Sequence, residues 1–155
     1  MDSSRRVIVL VGLPGSGKTT YVERLGETAL SSDEIRRLLA GDAADQSVNR
    51  EVFAALRYLL RRRLALGRSA TYVYATNLTP RERRPYIALA GEYGCAAEAV
   101  FFDVPLEICL ERNRRRRRIV PEAALRELAS RLGPPSTAEG FVRVVAISAE
   151  SGGRR

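Results

Sequence analysis

The sequence predicts an α/β protein built on one parallel sheet with helices covering both faces. Short apolar runs alternate with segments of helical spacing, which is the pattern of a parallel sheet joined by crossover helices. The first run, residues 7–11, leads directly into a glycine-rich loop and then a helix. A length of 155 residues with 45% hydrophobic residues suits a single core. We therefore expect residues 1–155 to form one three-layer domain.

The strands are predicted from the apolar runs, because a strand buried on both faces is continuously hydrophobic. We expect strands at 7–11, 29–32, 70–75, 97–103 and 142–147. Helices are predicted from the 3.6-residue period and from glycine or proline at their ends. We expect them from within 17–20 to about 25, then at 34–39, 48–66, 80–93, 106 to about 114, and 121–132. The tail, 151–155, is expected to fray.

Composition excludes several kinds of chemistry. The chain has a net charge of +8 and no histidine, which rules out histidine bases and histidine metal ligands. Cys95 and Cys109 are too few for a metal cage, and we expect them to be reduced and buried. Residues 1–6 are polar, and the apolar run after them is too short for a signal peptide or a membrane span. The sequence thus favours a cytoplasmic protein with no membrane contact.

A phosphate-binding loop follows the first strand. Residues 12–19, GLPGSGKT, match the pattern G-x-x-x-x-G-K-S/T between a strand and a helix. Lys18 is the only lysine in the chain, although arginine is abundant. We expect the loop to bind ATP, or GTP, together with Mg²⁺ ligated by Thr19. The predicted nucleotide-binding residues are Gly12, Gly15, Ser16, Gly17, Lys18, Thr19 and Thr20.

Asp33 follows the second predicted strand and has two interpretations. The carboxyl ends of parallel strands face the ligand crevice, where a carboxylate can accept a proton from a hydroxyl acceptor. Aspartate is also a common N-cap residue, and a helix is predicted from residue 34. The residues around Asp33 do not by themselves choose between a catalytic base and a cap.

The order of motifs resembles the 5′-polynucleotide kinase family, which includes the kinase module of bacterial end-healing RNA repair enzymes and phage polynucleotide kinase. The resemblance runs from about residue 7 to residue 145. It rests on GLPGSGKTT, SSDEIRR, the DQSVN box at 45–49, ATNLTPRERR at 75–84, and FDVPLEICLERNRRRR within 101–117. It implies a P-loop kinase-type sandwich with an arginine-bearing lid, and a reaction at the 5′-hydroxyl end of a nucleic acid, either RNA or DNA.

The resemblance also implies roles for individual residues. Asp33 matches the family's general base, and Arg36 matches the arginine that holds the acceptor's 3′-phosphate. Gln46 resembles a second acceptor contact. Arg112 and Arg116 match the paired lid arginines over the ATP phosphates, and their i,i+4 spacing on a continuing helix would place both on one face. We regard the other arginines at 114–118 as a solvated basic run.

One position departs from the family. Where relatives have Asp-x-Thr-Asn at the end of the third strand, this chain has Tyr74 followed by Ala-Thr-Asn. A phenol, with an unperturbed pKa of about 10, provides no fixed negative charge near a metal. The departure is compatible with lower activity, a different acceptor or an engineered substitution.

Two other functions remain open on the same residues. A small-molecule kinase, acting on a metabolite or antibiotic hydroxyl, would keep the loop, the base and the lid and change only the acceptor pocket around Arg36, Gln46 and Asn49. An ATP-gated nucleic-acid binder without transfer is favoured weakly by Tyr74 and by the net charge of +8.

Overall fold

The computed structural model describes residues 2–117 and 119–149, with side chains described from Arg5 onward. The predicted tail, 151–155, lies outside the described residues. The strands are β1 Asp2–Val11, β2 Ala29–Ser31, β3 Ala70–Tyr74, β4 Cys95–Asp103 and β5 Arg143–Ser148. The α-helices are α1 Lys18–Leu25, α2 Ser32–Ala40, α3 Asn49–Ala65, α4 Pro80–Glu92, α5 Leu106–Arg114 and α6 Glu122–Arg131. Short 3₁₀ turns lie at Gln46–Val48 and Thr137–Glu139.

The five strands form one parallel sheet in the order β2-β3-β1-β4-β5. β1 is central, and its Val9 pairs with Val73 of β3 and with Ala99 of β4. Because all strands point the same way, the loops after β1, β2, β3 and β4 emerge at one edge of the sheet. In an open α/β sheet this carboxyl edge is where ligands bind.

Alternate residues of β1 pack into different cores, as a strand period of two requires. Val7, Val9 and Val11 pack with apolar side chains of α2, α3 and α4 on one face. Ile8 and Leu10 pack with α1 on the other face. The predicted three-layer sandwich is confirmed, with three helices in one outer layer and α1 in the other.

A third apolar cluster fixes the loops at the carboxyl edge. Leu13 of the phosphate loop packs there with Val104, with Cys109 of α5 and with Leu125 of α6. Cys95 and Cys109 are both buried and unpaired, as predicted. The cluster holds the phosphate loop against the two helices that carry the arginine-rich segment.

A buried ion pair joins α4 to the 3₁₀ turn Thr137–Glu139. Arg83 is fully buried and donates through Nε and Nη2 to the two carboxylate oxygens of Glu139, at 2.8 and 3.0 Å. Its Nη1 donates at 2.8 Å to the backbone oxygen of Asn77, whose φ is 49°. Removing one partner of such a pair leaves a buried charge uncompensated, so the pair with Glu139 holds Arg83 in place. Because Arg83 also bonds the Asn77 backbone, it constrains the loop after β3.

The second helix begins differently from the prediction. Ser31 is the N-cap of α2, and its hydroxyl accepts a hydrogen bond from the Glu34 backbone N at 3.2 Å. The prediction that Asp33 caps this helix is therefore wrong, because the helix starts at Ser32, two residues earlier than a cap at Asp33 allows. The Asp33 side chain lies in the first turn, where it lines the cleft at the sheet edge. Within the described ranges, no helix is long and apolar enough to cross a membrane.

Candidate active site

The phosphate loop joins β1 to α1 in a conformation that requires glycine. Gly15 has φ of 85°, and a Cβ there would lie 3.0 Å from the backbone oxygen of Cys109. A Cβ on Gly12 would lie 2.6 Å from Ser16 Oγ. α1 begins at Lys18, so the loop delivers the positive end of a helix dipole to the cleft.

Lys18 lies within the loop rather than in solvent. It is 6% exposed, and its ammonium donates to the backbone oxygens of Gly12 and, at 3.2 Å, Leu13. Burial lowers the pKa of Lys18 to about 7; Arg116 acts in the same direction, and Cys109 and Asp33 oppose it. A polyphosphate beside this amine would favour its charged form.

Two buried polar atoms at this end of the cleft have no hydrogen-bond partner in the described part of the chain: Ser16 Oγ and Arg116 Nη1. Buried polar atoms are normally hydrogen-bonded, so each of these two atoms retains hydrogen-bonding capacity for a ligand group or a water molecule. One belongs to the loop and the other is cationic, and the charge of Arg116 acts on both Lys18 and Tyr74. This donor set fits the phosphates of a nucleotide.

Arg112 and Arg116 both approach the loop, but not for the predicted reason. Arg112 Nη1 donates to the backbone oxygen of Gly15 at 3.1 Å. α5 ends at Arg114, so Arg116 lies in the following turn, and the expected continuous helix through both arginines is wrong. Their closeness to the loop is therefore not explained by a position on the same face of one helix.

Asn113 shapes the segment that carries Arg116. It is 3% exposed; its Nδ2 donates to the backbone oxygen of Val120 at 2.6 Å, and its Oδ1 accepts from the Val120 backbone N at 2.9 Å. These two bonds close the arginine-rich segment into a loop. Sequence reasoning missed Asn113, whose only signal was an amide beside Arg112 in a run of arginines.

A chain of hydrogen bonds joins the predicted acceptor residues that line the cleft. Asp33 Oδ1 accepts from Arg36 Nη1 at 2.8 Å. Arg36 also donates through Nε and Nη2 to Asn49 Oδ1, at 3.2 and 2.8 Å. Asn49 donates in turn to Gln46 Oε1 at 3.0 Å. The structure thus brings the predicted Asp33, Arg36 and Gln46 together, with Asn49 as the link.

Exposure differs sharply within this network. The side chain of Arg36 is 5% exposed, whereas that of Asp33 is 54% exposed. The guanidinium is therefore held inside the protein and fixes the direction of a carboxylate that faces the cleft. Three of the five N–H groups of Arg36 are committed to these partners.

Tyr74 lies next to Thr19, the residue that the sequence predicts as a Mg²⁺ ligand. It ends β3, which neighbours β1, and its hydroxyl is hydrogen-bonded to the hydroxyl of Thr19. Burial raises the pKa of the Tyr74 phenol, so the group remains neutral near pH 7. No group of three or more acidic, cysteine or histidine side chains in the described residues could hold a metal ion. The loop therefore offers Mg²⁺ the Thr19 hydroxyl, and the nucleotide phosphates and water would supply the other ligands.

A continuous cleft of about 1610 Å³ joins the two ends. The predicted loop residues 15–20, Asp33, Arg36, Gln46, Arg112 and Arg116 all line it. Phe53, Arg57 and Arg81 also line it, and sequence reasoning did not select them. Phe53 and Arg57 are four residues apart on α3, so the helical period places them on one face, but only the sheet topology shows which face meets the cleft.

Three solved structures share the fold at low sequence identity. A chain of the Pnkp1/Rnl/Hen1 RNA repair complex is 22% identical over 85% of this chain and 45% of its own, with a TM-score of 0.73. A gluconokinase from Sinorhizobium meliloti 1021 is 22% identical over 94% of this chain and 83% of its own, with a TM-score of 0.61. Kti12 from Chaetomium thermophilum, solved with ADP-AlF3, is 17% identical over 93% and 89%, with a TM-score of 0.73. This chain thus spans less than half of the repair-complex chain.

At these identities the three structures establish the fold alone. A family model described as an AAA domain matches residues 7–135, from β1 to the segment beyond α6. The match includes the phosphate loop, the α2 segment with Asp33, and both Arg112 and Arg116. The chain belongs to this AAA domain family and has the P-loop kinase fold.

Proposed function

We propose that this protein transfers the γ-phosphate of ATP to the 5′-hydroxyl end of a nucleic acid. The observation that carries the proposal is that one cleft holds the phosphate loop at one end and an exposed, oriented carboxylate, Asp33, at the other. The charge of Asp33 raises the pKa of Lys18 against the larger effect of burial, so the two groups are electrostatically coupled. A donor phosphate and a proton acceptor on one path are what phosphoryl transfer requires.

The acceptor side favours a polyanionic substrate. The cleft that contains Asp33 is also lined by Phe53, Arg57 and Arg81. Arg57 and Arg81 are exposed and make no ion pair or hydrogen bond with other described residues, whereas Arg61 on α3 pairs with Glu92 at 2.9 Å. Guanidiniums without an ion pair and an aromatic side chain in one cleft suit a nucleic-acid strand, because guanidiniums bind phosphates and aromatic rings stack on bases.

The proposed reaction uses the chain's own groups at each atom. The acceptor 5′-oxygen loses its proton to Asp33 and attacks the γ-phosphorus in line, and the bond to the β–γ bridging oxygen breaks to release ADP. Lys18, Arg112 and Arg116 stabilise the negative charge on the phosphoryl oxygens. Arg36 holds Asp33 in position, and its two remaining N–H groups would bind the acceptor's 3′-phosphate. Mg²⁺ held by Thr19 would add positive charge at the β- and γ-phosphates.

The test is transfer from labelled ATP or GTP to 5′-hydroxyl RNA and DNA oligonucleotides, with 5′-phosphorylated oligonucleotides as the matched control. We expect label on the 5′-hydroxyl strands only. Label on neither RNA nor DNA would contradict the proposal.

One observation favours a second candidate, a small-molecule hydroxyl kinase. The Asp33–Arg36–Asn49–Gln46 network satisfies most of the donors of Arg36 internally, which suits a neutral polyhydroxyl acceptor that adds hydrogen bonds to the network. Transfer to a neutral sugar or another polyol, but not to oligonucleotides, would support this candidate.

A further inference from the structure

One face of α3 follows the cleft. Asn49, Phe53 and Arg57 all line the cleft and are spaced four residues apart, so they occupy successive turns of that face. The buried residues of α3 belong to a different face, which packs into the core. Asn49 is the residue that Arg36 bonds, and Arg57 lies two turns further on, about 12 Å along the helix axis. The cleft-lining face therefore connects the Arg36 network to Arg57.

Tyr86 of α4 has a hydroxyl without a partner at the same cleft. The residue is 2% exposed, lines the cleft and belongs to the apolar cluster against which Phe53 packs. Its hydroxyl makes no hydrogen bond with any residue that the structure describes. Buried polar groups are normally hydrogen-bonded, so this hydroxyl retains a donor for a ligand or a water molecule.

The charges around the Tyr86 phenol favour an anion as that ligand. Arg57 and Glu82 are the charged residues that act on the phenol, and both line the cleft. Glu82 is already paired with Arg131 at 2.7 Å, whereas Arg57 is exposed and makes no ion pair or hydrogen bond with the described residues. Burial raises the pKa of Tyr86 to about 12, so the phenol keeps its proton and can donate it to an acceptor. A neutral donor beside an uncompensated guanidinium is suited to phosphate oxygens.

We propose that Arg57 and the Tyr86 hydroxyl form a second phosphate subsite for the acceptor strand. Arg36 binds the phosphate that follows the first nucleotide, and Arg57 with Tyr86 binds the phosphate that follows the second. One nucleotide and the long arginine side chain together span the two turns of α3 between these contacts. Phe53 lies between them on the same face, where a base can stack on its ring. This inference rests on the proposed function and makes a dinucleotide with two phosphates the shortest fully bound acceptor.

The experiment compares two 5′-hydroxyl dinucleotides that differ only at the 3′ end, one with a 3′-phosphate and one with a 3′-hydroxyl. Transfer from labelled ATP is measured for both, and so is their affinity without ATP, by calorimetry. For the wild-type protein we expect the 3′-phosphate to improve both quantities by about tenfold or more, through KM rather than kcat, because it adds a charge-assisted contact. In Tyr86→Phe, which removes only the hydroxyl, and in Arg57→Ala, this gain should fall below about threefold.

Arg61→Ala and Tyr72→Phe are the matched controls. Arg61 lies one turn beyond Arg57 on α3, but it pairs with Glu92 at 2.9 Å and does not line the cleft. Tyr72 is a buried tyrosine in the core on the α1 side of the sheet. Both controls should keep the wild-type gain. Because Arg57 is exposed, Arg57→Ala tests the subsite even if Tyr86→Phe does not melt cooperatively.

The outcomes separate this inference from the proposed function. No difference between the two dinucleotides in the wild type, in transfer or in affinity, would overturn the subsite even if both are phosphorylated. A gain that Tyr86→Phe and Arg57→Ala both retain would overturn it as well. A 3′-phosphate that tightens binding through Tyr86 and Arg57 in a protein that transfers no phosphate would support the subsite and contradict the kinase proposal.

Discussion

The two ends of the cleft satisfy their polar groups in opposite ways. At the donor end, Ser16 Oγ and Arg116 Nη1 are buried with no partner among the described residues. At the acceptor end, Asp33, Arg36 and Asn49 are joined in a chain of hydrogen bonds between 2.8 and 3.2 Å. The first end retains unsatisfied polar atoms that a ligand could bond, whereas the second end has its partners within the protein and must rearrange or extend them for a ligand.

This difference indicates what each end contributes. Unsatisfied donors gain most when an anion arrives, so the donor end is suited to bind phosphates tightly and to no particular acceptor. A satisfied network gains little from a further contact but is rigid, so the acceptor end is suited to orient a base and to discriminate between acceptors. Changes at the donor end should thus affect every substrate, and changes at the acceptor end should alter selectivity.

The largest effect is expected at Lys18. Lys18→Ala should lower transfer to any acceptor by more than about 10⁴-fold, because the loop then loses its charge on both the bound nucleotide and the transition state. Steady-state transfer from labelled ATP measures this, with a thermal melt to show an intact fold. Arg84→Ala, an exposed change of the same charge outside the cleft, is the control. Near-wild-type turnover in Lys18→Ala would show that this loop is not the donor site.

Asp33→Asn should produce the next largest effect and distinguish the roles of the two ends of the cleft. The amide keeps the shape of the side chain but cannot accept the proton, so transfer should fall by roughly 10²–10⁴-fold while ATP affinity is preserved. Transfer rates and calorimetric ATP affinity are measured on the same variant. Glu34→Gln, the adjacent exposed carboxylate paired with Arg37, is the matched control. Equal losses of affinity and rate would instead place Asp33 in metal or nucleotide binding.

The same contrast explains what could be read from the sequence. The donor loop occupies consecutive residues, so its pattern was sufficient, and the sheet followed from the apolar runs. Whether Ser31 or Asp33 caps α2 depends on the backbone path, and both have a suitable side chain at the position where a cap is expected. The Tyr74–Thr19 contact depends on the strand order, which the pattern of apolar residues in the sequence does not predict.

The placement of Arg116 was predicted for a reason that proved wrong. Helical spacing from Arg112 favoured a shared face, but α5 stops at Arg114 and the loop closed by Asn113 and Val120 carries Arg116 instead. Such a closure uses a side chain bonded to backbone seven residues away, which leaves no periodic signal. The roles of the site residues remain predictions that the variants described here test.

Arg36→Ala should have a smaller and selective effect. A nucleoside 3′-monophosphate should be the better acceptor than the plain nucleoside for the wild type, and the variant should lose that preference. The loss corresponds to one charge-assisted contact, about tenfold or more in transfer efficiency. Competition between the two acceptors measures it. Arg37→Ala, which removes the neighbouring exposed guanidinium, should keep the preference. An unchanged preference in Arg36→Ala would assign Arg36 to orienting Asp33 alone.

The smallest effect concerns the protonation of Lys18. Its pKa is lowered to about 7, mainly by burial, so in the free protein the amine loses its proton as the pH rises through this value. ATP binds best to the charged amine, so binding above pH 7 must take up a proton, and affinity must fall as the pH increases. Above about pH 8 the terminal phosphate is already fully ionised, so the nucleotide's own titration does not confuse the result. Calorimetry in two buffers of different ionisation enthalpy should show uptake of close to one proton and a several-fold loss of affinity per pH unit. Lys18→Arg, whose guanidinium stays charged, should show neither effect. Proton release on binding would contradict the assignment of Lys18 as the phosphate contact.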